Sequence, residues 1–232
     1  MFIDRKSDGR VRRTALLAGA TGLVGRELLL QLAAEPAYGA VQVLARRPLD
    51  LPLPRKLQTH IGPLVGARSV PAADDVYIAL GTTLRAAGSQ AAFRRIDLDL
   101  VVHLATLARA AGARRLAVVS SLGADARSAA FYNRTKGEME AAVQQLGYER
   151  VVIVRPSLLA GERDALGQPP RPIERWSLRL SAPLARWLPA ALRPVPAASV
   201  ARTMLRRVLG EAPGGVQIVE SRALQPDPAT PA

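Results

Sequence analysis

The sequence predicts one α/β domain with a doubly wound parallel β-sheet and a small C-terminal cap. Short apolar runs typical of strands alternate with segments of helix length, and a glycine-rich turn follows the first run. Strands joined by helix-length connections lie parallel, with right-handed crossovers and helices on both faces of the sheet. The length of 232 residues is ample for one such domain and its core.

The predicted elements follow one another in a regular order up to Pro156. Strands are predicted at residues 15–18, 41–45, 57–60, 76–80, 116–120 and 151–154, and helices at residues 23–34, 89–111 and 130–146. After Pro156 the pattern is irregular and proline-rich, with helices near residues 173–187 and 198–209 and a strand at 216–219, which we expect to form the cap. We therefore expect a flexible basic leader at residues 1–13, the domain with its cap at 14–224, and a frayed proline-rich tail at 225–232.

Composition excludes several classes of protein. The chain has no cysteine, which excludes a disulfide scaffold, a thiolate zinc site and a cysteine nucleophile. The two histidines, His60 and His103, leave little room for a metal cluster, so no metal site is predicted. No apolar run is long enough to span a bilayer and no secretory signal is evident, so we expect a soluble cytoplasmic protein.

The net charge of +13 raises the question of a nucleic-acid partner. Of the 32 basic residues, 29 are arginine, and these are scattered along the chain rather than gathered in one block with aromatic residues. A scattered basic surplus is a weak signature of nucleic-acid binding. The sequence therefore argues against a nucleic-acid partner, and it leaves a homodimer or another protein partner open.

A glycine motif, Gly19-Ala-Thr-Gly22-Leu-Val-Gly25, lies between the first strand and the first helix. Gly19 permits a tight turn, Gly22 lets the backbone approach a pyrophosphate, and Gly25 allows the helix to pack closely on the strand. The helix N-terminus then points at the phosphates. The alternative is a sharp strand-to-helix turn without a ligand. We predict a dinucleotide site formed by Gly19, Thr21, Gly22, Leu23, Val24 and Gly25.

Two arginines, Arg46 and Arg47, follow the second strand at the position where an acidic residue would bind the ribose 2′-hydroxyl of NAD. A guanidinium suits a 2′-phosphate, and no carboxylate adjoins it. NADP(H) is therefore predicted in preference to NAD(H). The alternative is that these are two of the many arginines of the surface.

Tyr132 and Lys136 are four residues apart at the start of a predicted helix, so both lie on one helical face. A lysine ammonium near a phenol lowers the phenol pKa, which makes a tyrosine a usable proton donor or acceptor. The alternative is an ordinary surface pair.

Two serines, Ser120 and Ser121, end the fifth predicted strand, at the edge of the sheet where doubly wound folds bind ligands. A hydroxyl there can hydrogen-bond a substrate carbonyl beside the tyrosine. No histidine lies nearby in the sequence, so a hydrolase-type serine nucleophile is not predicted. The alternative is simple strand-end capping.

These motifs in this order resemble the short-chain dehydrogenase/reductase superfamily, which implies a Rossmann-like fold. Further segments resemble its atypical branch, the NAD(P)-binding oxidoreductases related to the HIV Tat-interacting protein. They are Ala79-Leu-Gly-Thr-Thr83, Ala87-Gly-Ser89, Phe93-Arg-Arg-Ile-Asp97, Ser120-Ser-Leu-Gly-Ala-Asp125, Phe131-Tyr-Asn-Arg-Thr-Lys-Gly-Glu138 and Arg155-Pro-Ser-Leu-Leu-Ala-Gly161. The spacing of only 11 residues between Ser121 and Tyr132 also fits this branch.

The resemblance implies roles for individual residues. Tyr132 would be the general acid/base, and Lys136 would hold the nicotinamide ribose and tune the tyrosine. Ser121 would orient the substrate, while Ser120 is the weaker choice for that role and would border the cofactor. The other implied cofactor contacts are Leu80, Gly81 and Thr82 after the fourth strand, and Arg155, Pro156 and Ser157 at the nicotinamide end.

Two functions are compatible with these motifs. The first is an NADP(H)-dependent oxidoreductase for a small carbonyl or alcohol substrate, in which the tyrosine protonates the carbonyl oxygen as hydride reaches carbon. The second is a catalytically weak NADPH-binding regulator that presents the arginine-rich residues 171–193 to a protein partner. We prefer a substrate lid as the role of that segment. Because the serine, the tyrosine and the lysine are all present, the enzyme is the favoured hypothesis.

Overall fold

Seven parallel strands form the central sheet of the computed structural model, which describes residues 6–7, 10–49, 54–160, 189, 192–211 and 213–226. In chain order they are β1 (Arg13–Ala18), β2 (Tyr38–Ala45), β3 (Leu57–Ile61), β4 (Asp75–Ile78), β5 (Arg115–Val119), β6 (Arg150–Arg155) and β7 (Gly215–Glu220). Their order across the sheet is β3-β2-β1-β4-β5-β6-β7, and every neighbouring pair is parallel. The predicted doubly wound parallel sheet is confirmed, and its strand order reverses between β1 and β4.

Helices cover both faces of this sheet. They are α1 (Leu23–Ala34), α2 (Leu84–Ala87), α3 (Gln90–Arg94), α4 (Val101–Ala110), α5 (Phe131–Gln144) and α6 (Ala197–Leu209), with a short 3₁₀ helix at Ser221–Leu224. Successive side chains of a strand point to opposite faces, which divides the core into two layers. Ala15 and Leu17 of β1 belong to the layer that contains α1 and α6, whereas Leu16 and Ala18 belong to the layer that contains α4 and α5.

The structure reproduces the predicted bounds of α1 and shifts those of several other elements. The strands predicted at residues 76–80 and 116–120 end earlier, at Ile78 and Val119, so the residues that follow form the carboxyl edge of the sheet. The single helix predicted over residues 89–111 contains a π-helical segment, Arg95–Leu100, between α3 and α4. A π turn inserts an extra residue that a hydrophobic pattern does not reveal.

The late helix and strand predicted as parts of the cap belong instead to the sheet and its helical layer. β7 pairs with β6 along its whole length, from Gly215 beside Arg150 to Glu220 beside Arg155. α6 packs on α1, and its buried residues Val200 and Met204 join the same core layer. The prediction failed because the partners of these elements lie far away in the chain. The helix predicted at residues 173–187 falls outside the described residues.

Two short ladders lie outside the main sheet. Lys6–Ser7 pairs antiparallel with Arg10–Val11 within the predicted leader, and Leu159–Ala160 pairs parallel with Val195–Pro196. The remaining leader residues 1–5 and 8–9 and the tail from residue 227 are not among those described. Within the described ranges, none of the helices combines the length and the apolar character needed to cross a membrane.

Candidate functional site

The carboxyl ends of four central strands lie side by side at one edge of the sheet. Ala18 of β1 pairs with Ile78 of β4, Ile78 with Val118 of β5, and Val118 with Ile153 of β6. The segments that follow these strands contain most of the residues predicted for the site. Because the strand order reverses between β1 and β4, this edge borders the crevice in which doubly wound folds bind ligands.

The turn after β1 requires glycine at its first position. Gly19 has a φ of +96°, in the left-handed region, and a Cβ atom there would lie 2.5 Å from the carbonyl oxygen of Ala79. The amide of Gly22 donates to the carbonyl oxygen of Gly19 at 3.0 Å and closes the turn. Backbone conformation and close contact with the segment after β4 therefore both exclude a side chain at Gly19.

Gly22 and Gly25 differ in what surrounds them. A Cβ atom at Gly25 would overlap the carbonyl group of Gly19, so α1 lies directly against the turn. A Cβ atom at Gly22 would have its nearest neighbours at 3.5 and 3.7 Å, which is ordinary contact. Gly22 is the N-cap of α1, and the first-turn amides of Leu23 and Val24 have no acceptor within the helix. Gly25 thus serves packing, whereas the N-terminus of α1 beside Gly22 suits a phosphate.

Arg46 and Arg47 directly follow β2, the neighbour of β1, and both side chains are exposed. Neither forms an ion pair or a side-chain hydrogen bond with the described residues. Thr21, in the glycine turn, is exposed as well. Two guanidinium groups that no described carboxylate engages therefore lie at the same edge of the sheet as the glycine turn.

Tyr132 lies in the first turn of α5, one turn before Lys136, as the sequence spacing predicts. Its ring packs on the buried ring of Phe93, with 5.3 Å between the ring centroids. Phe93 also contacts Phe131, at a centroid distance of 5.9 Å. The helix α3 that carries Phe93 thus supports the tyrosine from the side.

The other three tyrosines are buried parts of the core. The hydroxyl of Tyr38 donates to Asp75 at 2.8 Å and lies 2.7 Å from the hydroxyl of Tyr77, and Tyr148 donates to a backbone carbonyl of α4. Burial raises the pKa of all three phenols. Of the four tyrosines, only Tyr132 is therefore placed for acid/base chemistry.

Lys136 is buried in an ion pair with Asp97. The distance from Nζ to Oδ1 is 2.6 Å, and the two side chains are 4% and 1% exposed. The other carboxylate oxygen of Asp97 accepts the backbone N–H of Thr82 at 2.8 Å, and Gly81 lies alongside. Asp97 therefore joins the predicted lysine to the predicted segment Leu80–Thr82. Sequence reasoning gave Asp97 no role, because 39 residues separate it from the lysine and no local pattern connects them.

Ser120 and Ser121 are buried, with exposures of 5% and 8%. Neither hydroxyl has a hydrogen-bond partner among the described residues. Strand-end capping would require a hydrogen bond from these hydroxyls to the backbone, and the described residues contain no such bond. A buried hydroxyl without a partner is costly, so both groups fit a ligand that supplies the missing bond.

The short connection from Ser121 to Tyr132 is folded onto α5. A Cβ atom at Gly137 would overlap the backbone of Asp125 in this connection. The amide of Asp125 also donates to the carbonyl oxygen of Asn133 at 3.1 Å. The serines and the tyrosine are therefore linked by a segment that is itself packed on the helix carrying the tyrosine.

The polar side chains of the segment after β6 form hydrogen bonds within the protein. The guanidinium of Arg155 donates to Glu140 and Glu220, and these hydrogen bonds, first of all those to Glu140, raise the pKa of Arg155. The hydroxyl of Ser157 donates to the carbonyl oxygen of Arg193 at 2.6 Å. Because both side chains already form hydrogen bonds within the protein, the segment from Arg155 to Ser157, which includes Pro156, could border a cofactor mainly through its main chain.

The residues present at this edge fit a dinucleotide. The N-terminus of α1 can receive a pyrophosphate beside Gly22, and the arginines after β2 can receive a further phosphate. The hydroxyls of Ser120 and Ser121, which have no hydrogen-bond partner among the described residues, follow the end of β5, and the segment after them packs on α5, which carries the tyrosine and the lysine. The fold and these groups define a Rossmann-like dinucleotide-binding domain.

Comparison with known proteins identifies the family. Residues 19–171 match the family described as NAD(P)H-binding, and the chain belongs to it. The mitochondrial protein FMP52 of Candida albicans is 32% identical over 205 residues, which are 83% of this chain and 86% of that protein. HTATIP2 of Rattus norvegicus is 29% identical over 221 residues, 91% of this chain and 88% of that protein. The predicted membership of the atypical short-chain dehydrogenase/reductase branch is confirmed.

Solved structures share the fold. MoeE5 in complex with UDP-glucuronic acid and NAD has a TM-score of 0.67, covering 89% of this chain and 76% of that chain at 19% identity. Identity this low shows the fold alone. The protein thus has an NAD(P)H-binding, oxidoreductase-like fold, and the choice between NADP(H) and NAD(H) depends on its own residues.

The expectation of a cytoplasmic protein is wrong. FMP52 relatives from several fungi, including Emericella nidulans and Candida albicans, are named as mitochondrial proteins. These names point to mitochondria rather than to the cytoplasm. The expectation failed because the two features it used, membrane-spanning runs and secretory signals, do not distinguish these two compartments.

Proposed function

We propose that the protein is an NADP(H)-dependent oxidoreductase that acts on a small carbonyl or alcohol substrate. The observation that carries the proposal is that α5 presents Tyr132 and Lys136 one turn apart, while two buried hydroxyls at the end of β5 have no hydrogen-bond partner among the described residues. These groups lie at the edge of the sheet that also carries the glycine turn. A proton donor, a cation and a hydrogen-bond donor for an oxygen atom are the groups that carbonyl reduction requires from the protein.

Each of these residues has a separate role in the proposed reaction. When bound, the nicotinamide cofactor supplies or accepts the hydride. Ser121 donates a hydrogen bond to the substrate oxygen and so orients the carbonyl group. Tyr132 transfers its phenolic proton to that oxygen, and Lys136 holds the nicotinamide ribose and stabilises the phenolate. In the oxidative direction the tyrosine takes the proton back from the alcohol.

The preference for NADP(H) rests on Arg46 and Arg47. Both are exposed after β2 and neither is engaged by a described carboxylate. A guanidinium binds a phosphate with paired hydrogen bonds, whereas the ribose 2′-hydroxyl of NAD is served better by an acidic residue. The two arginines therefore favour the cofactor with the additional phosphate.

An activity screen tests the proposal. Purified protein is incubated with NADPH and a panel of small aldehydes and ketones, and with NADP⁺ and alcohols, while NADPH absorbance is followed. We expect turnover of at least one compound, and a loss of that turnover in Tyr132→Phe. A protein that binds NADPH but turns over none of these compounds would contradict the oxidoreductase and favour the NADPH-binding regulator. The arginine-rich segment on which that alternative relies falls largely outside the described residues.

A further inference from the structure

The strand β7 is the last strand at one side of the sheet. It pairs with β6 along its whole length, and within the part of the chain that the structure describes nothing pairs with its outer edge. The amide of Gly215 donates to the carbonyl oxygen of Glu149, so residues 215, 217 and 219 direct their backbone groups toward β6. The N–H and C=O groups of residues 216, 218 and 220 therefore point to the open side.

Two apolar side chains of β7 are exposed. Val216 is 46% exposed and Ile218 is 44% exposed. Their neighbours in β6, Val151 and Ile153, belong to the core layer that contains α4 and α5, so both exposed side chains lie on that face of the sheet. The residues with outward backbone groups thus also carry the exposed apolar side chains.

The edge of β7 lacks the features that keep an exposed strand from pairing. Natural proteins protect such edges with lysine, proline or a β-bulge. The strand contains none of these residues, it contains no arginine, and its register with β6 is regular. Its one charged side chain, Glu220, accepts a hydrogen bond from Arg155 of the same chain. This edge is therefore suited to pairing with another strand.

The distribution of charge restricts what can cover this edge. An acidic protein, a nucleic acid or an anionic membrane would be bound through basic side chains. The chain has a net charge of +13, yet residues 208–221, which include β7, contain no lysine and no arginine. An apolar edge without basic residues matches a strand of the same kind, and β7 of a second copy is such a strand.

We propose that two copies of the chain form a homodimer in which their β7 strands pair antiparallel. A two-fold axis perpendicular to the sheet makes the two edge strands antiparallel and joins the two sheets into one. Hydrogen-bonded pairs form between residues whose backbone groups point outward. Pairing Val216 with the partner's Ile218, and Ile218 with the partner's Val216, meets this condition and places all four apolar side chains in cross-strand contact.

The other two registers that this condition allows are less favourable. An axis at Val216 would place Ile218 opposite the partner's Gly214, and an axis at Ile218 would place Val216 opposite the partner's Glu220. Each of them leaves one apolar side chain on each copy without an apolar neighbour across the ladder. The favoured register therefore has its axis at Gln217.

Gln217 faces the partner's Gln217 in this register, which makes the register testable. The two residues form a non-hydrogen-bonded pair, whose Cα atoms lie about 4.5 Å apart, and a disulfide requires roughly 4.4–6.8 Å. The chain has no cysteine, so a cysteine introduced at this position can link only to its counterpart. Oε1 of Gln217 is buried without a hydrogen-bond partner among the described residues, so its removal should not destabilise the fold.

Sedimentation equilibrium over a series of protein concentrations tests the dimer. We expect the wild type to pass from the monomer to a species of twice the mass as the concentration rises. Ile218→Lys should remain a monomer throughout the series, because pairing would bury an ammonium group in each half of the ladder. Leu30→Lys is the matched control, since Leu30 is 54% exposed on α1, and this variant should dimerise as the wild type does.

Oxidative cross-linking tests the register and does not depend on the folding of Ile218→Lys. Gln217→Cys should form a covalent dimer under mild oxidation. Val216→Cys is the control on the same strand, because in the proposed register it lies diagonally from its counterpart, at about 7–8 Å, and should not cross-link.

Three outcomes would overturn the proposal. The first is a wild type that stays monomeric throughout the series, which includes the cases in which another segment of the chain or a different protein covers β7. The second is an Ile218→Lys variant that dimerises as the wild type does. The third is cross-linking of Val216→Cys as readily as Gln217→Cys. None of these measurements involves the cofactor, so their result is independent of the proposed reaction.

Discussion

Arg155 donates two hydrogen bonds to the carboxylate of Glu140, from Nε at 3.0 Å and from Nη2 at 2.6 Å. The side chains are 20% and 3% exposed, and Nη1 of the same arginine donates to Glu220 at 2.9 Å. Glu140 lies one turn after Lys136 on α5. This pair therefore fastens the helix that carries the candidate catalytic residues to β6 and β7.

Replacing Glu140 with glutamine should lower the free energy of unfolding by about 2 kcal/mol, because the guanidinium loses a charged acceptor in a mostly buried setting. Chemical denaturation measures the change. Glu138→Gln is the matched control on the same helix, since it removes only the surface pair with Arg94 and should cost less than about 1 kcal/mol. Equal destabilisation by the two substitutions would contradict the importance of the buried pair.

We expect Gly22→Val to impair NADPH binding and Gly25→Val to impair the stability of the fold. A side chain at Gly22 has room within the protein but occupies the approach to the N-terminus of α1, so the variant should fold and lose NADPH binding. A side chain at Gly25 would overlap the carbonyl group of Gly19, so that variant should be destabilised by about 2 kcal/mol or more. Thermal unfolding and NADPH titration on both proteins make the comparison. Normal NADPH binding by folded Gly22→Val would refute the phosphate assignment.

Arg46→Ala should narrow the preference for NADPH over NADH by about tenfold or more. The loss of one charged partner of a phosphate typically costs about 1.5–3 kcal/mol of binding free energy. Only NADPH should lose this contribution, because NADH has no 2′-phosphate. Titration calorimetry with both cofactors measures the ratio. The control is Arg222→Ala, which removes an exposed arginine that follows β7. This strand lies at one side of the sheet, five strands away from β2, so the substitution should leave the ratio of the two affinities unchanged. Equal affinities of the wild type for the two cofactors would be incompatible with the assignment.

Tyr132→Phe should lower turnover by about 10²–10⁴-fold with little change in NADPH affinity, because it removes the proton donor and keeps the ring on Phe93. Steady-state kinetics on a substrate from the carbonyl screen, together with NADPH titration, separates the two effects. A variant with near wild-type turnover would exclude this tyrosine as the proton donor.

The two serines can be distinguished in the same assay. Ser121→Ala should reduce kcat/KM by about 10²-fold or more, since it removes a hydrogen bond to the substrate oxygen. Ser120→Ala should act mainly on cofactor affinity. Both hydroxyls are buried and unpartnered within the described residues, so neither substitution breaks an internal hydrogen bond there. The reverse result would assign substrate orientation to Ser120.

Local patterns in the sequence determined much of the fold and part of the site. The alternation of strands and helices predicted the parallel sheet, because each element carries its own periodicity. Gly19 and Gly25 were predictable because a tight turn and a close helix contact exclude side chains at those positions. Tyr132 and Lys136 were predictable because one helical turn places them together regardless of what surrounds the helix.

Tertiary structure alone decided the contacts between residues that are distant in the chain. Asp97 meets Lys136 across 39 residues, and the π-helical segment that directs it inward leaves no hydrophobic signature. The family resemblance implies that Arg155 borders the cofactor, and the structure shows that its guanidinium is paired with Glu140 on α5. The strand from Gly215 joins the sheet by pairing with β6, whose residues lie far away in the chain. Such contacts depend on how separate helices and strands pack together, so the spacing of residues within one element cannot predict them.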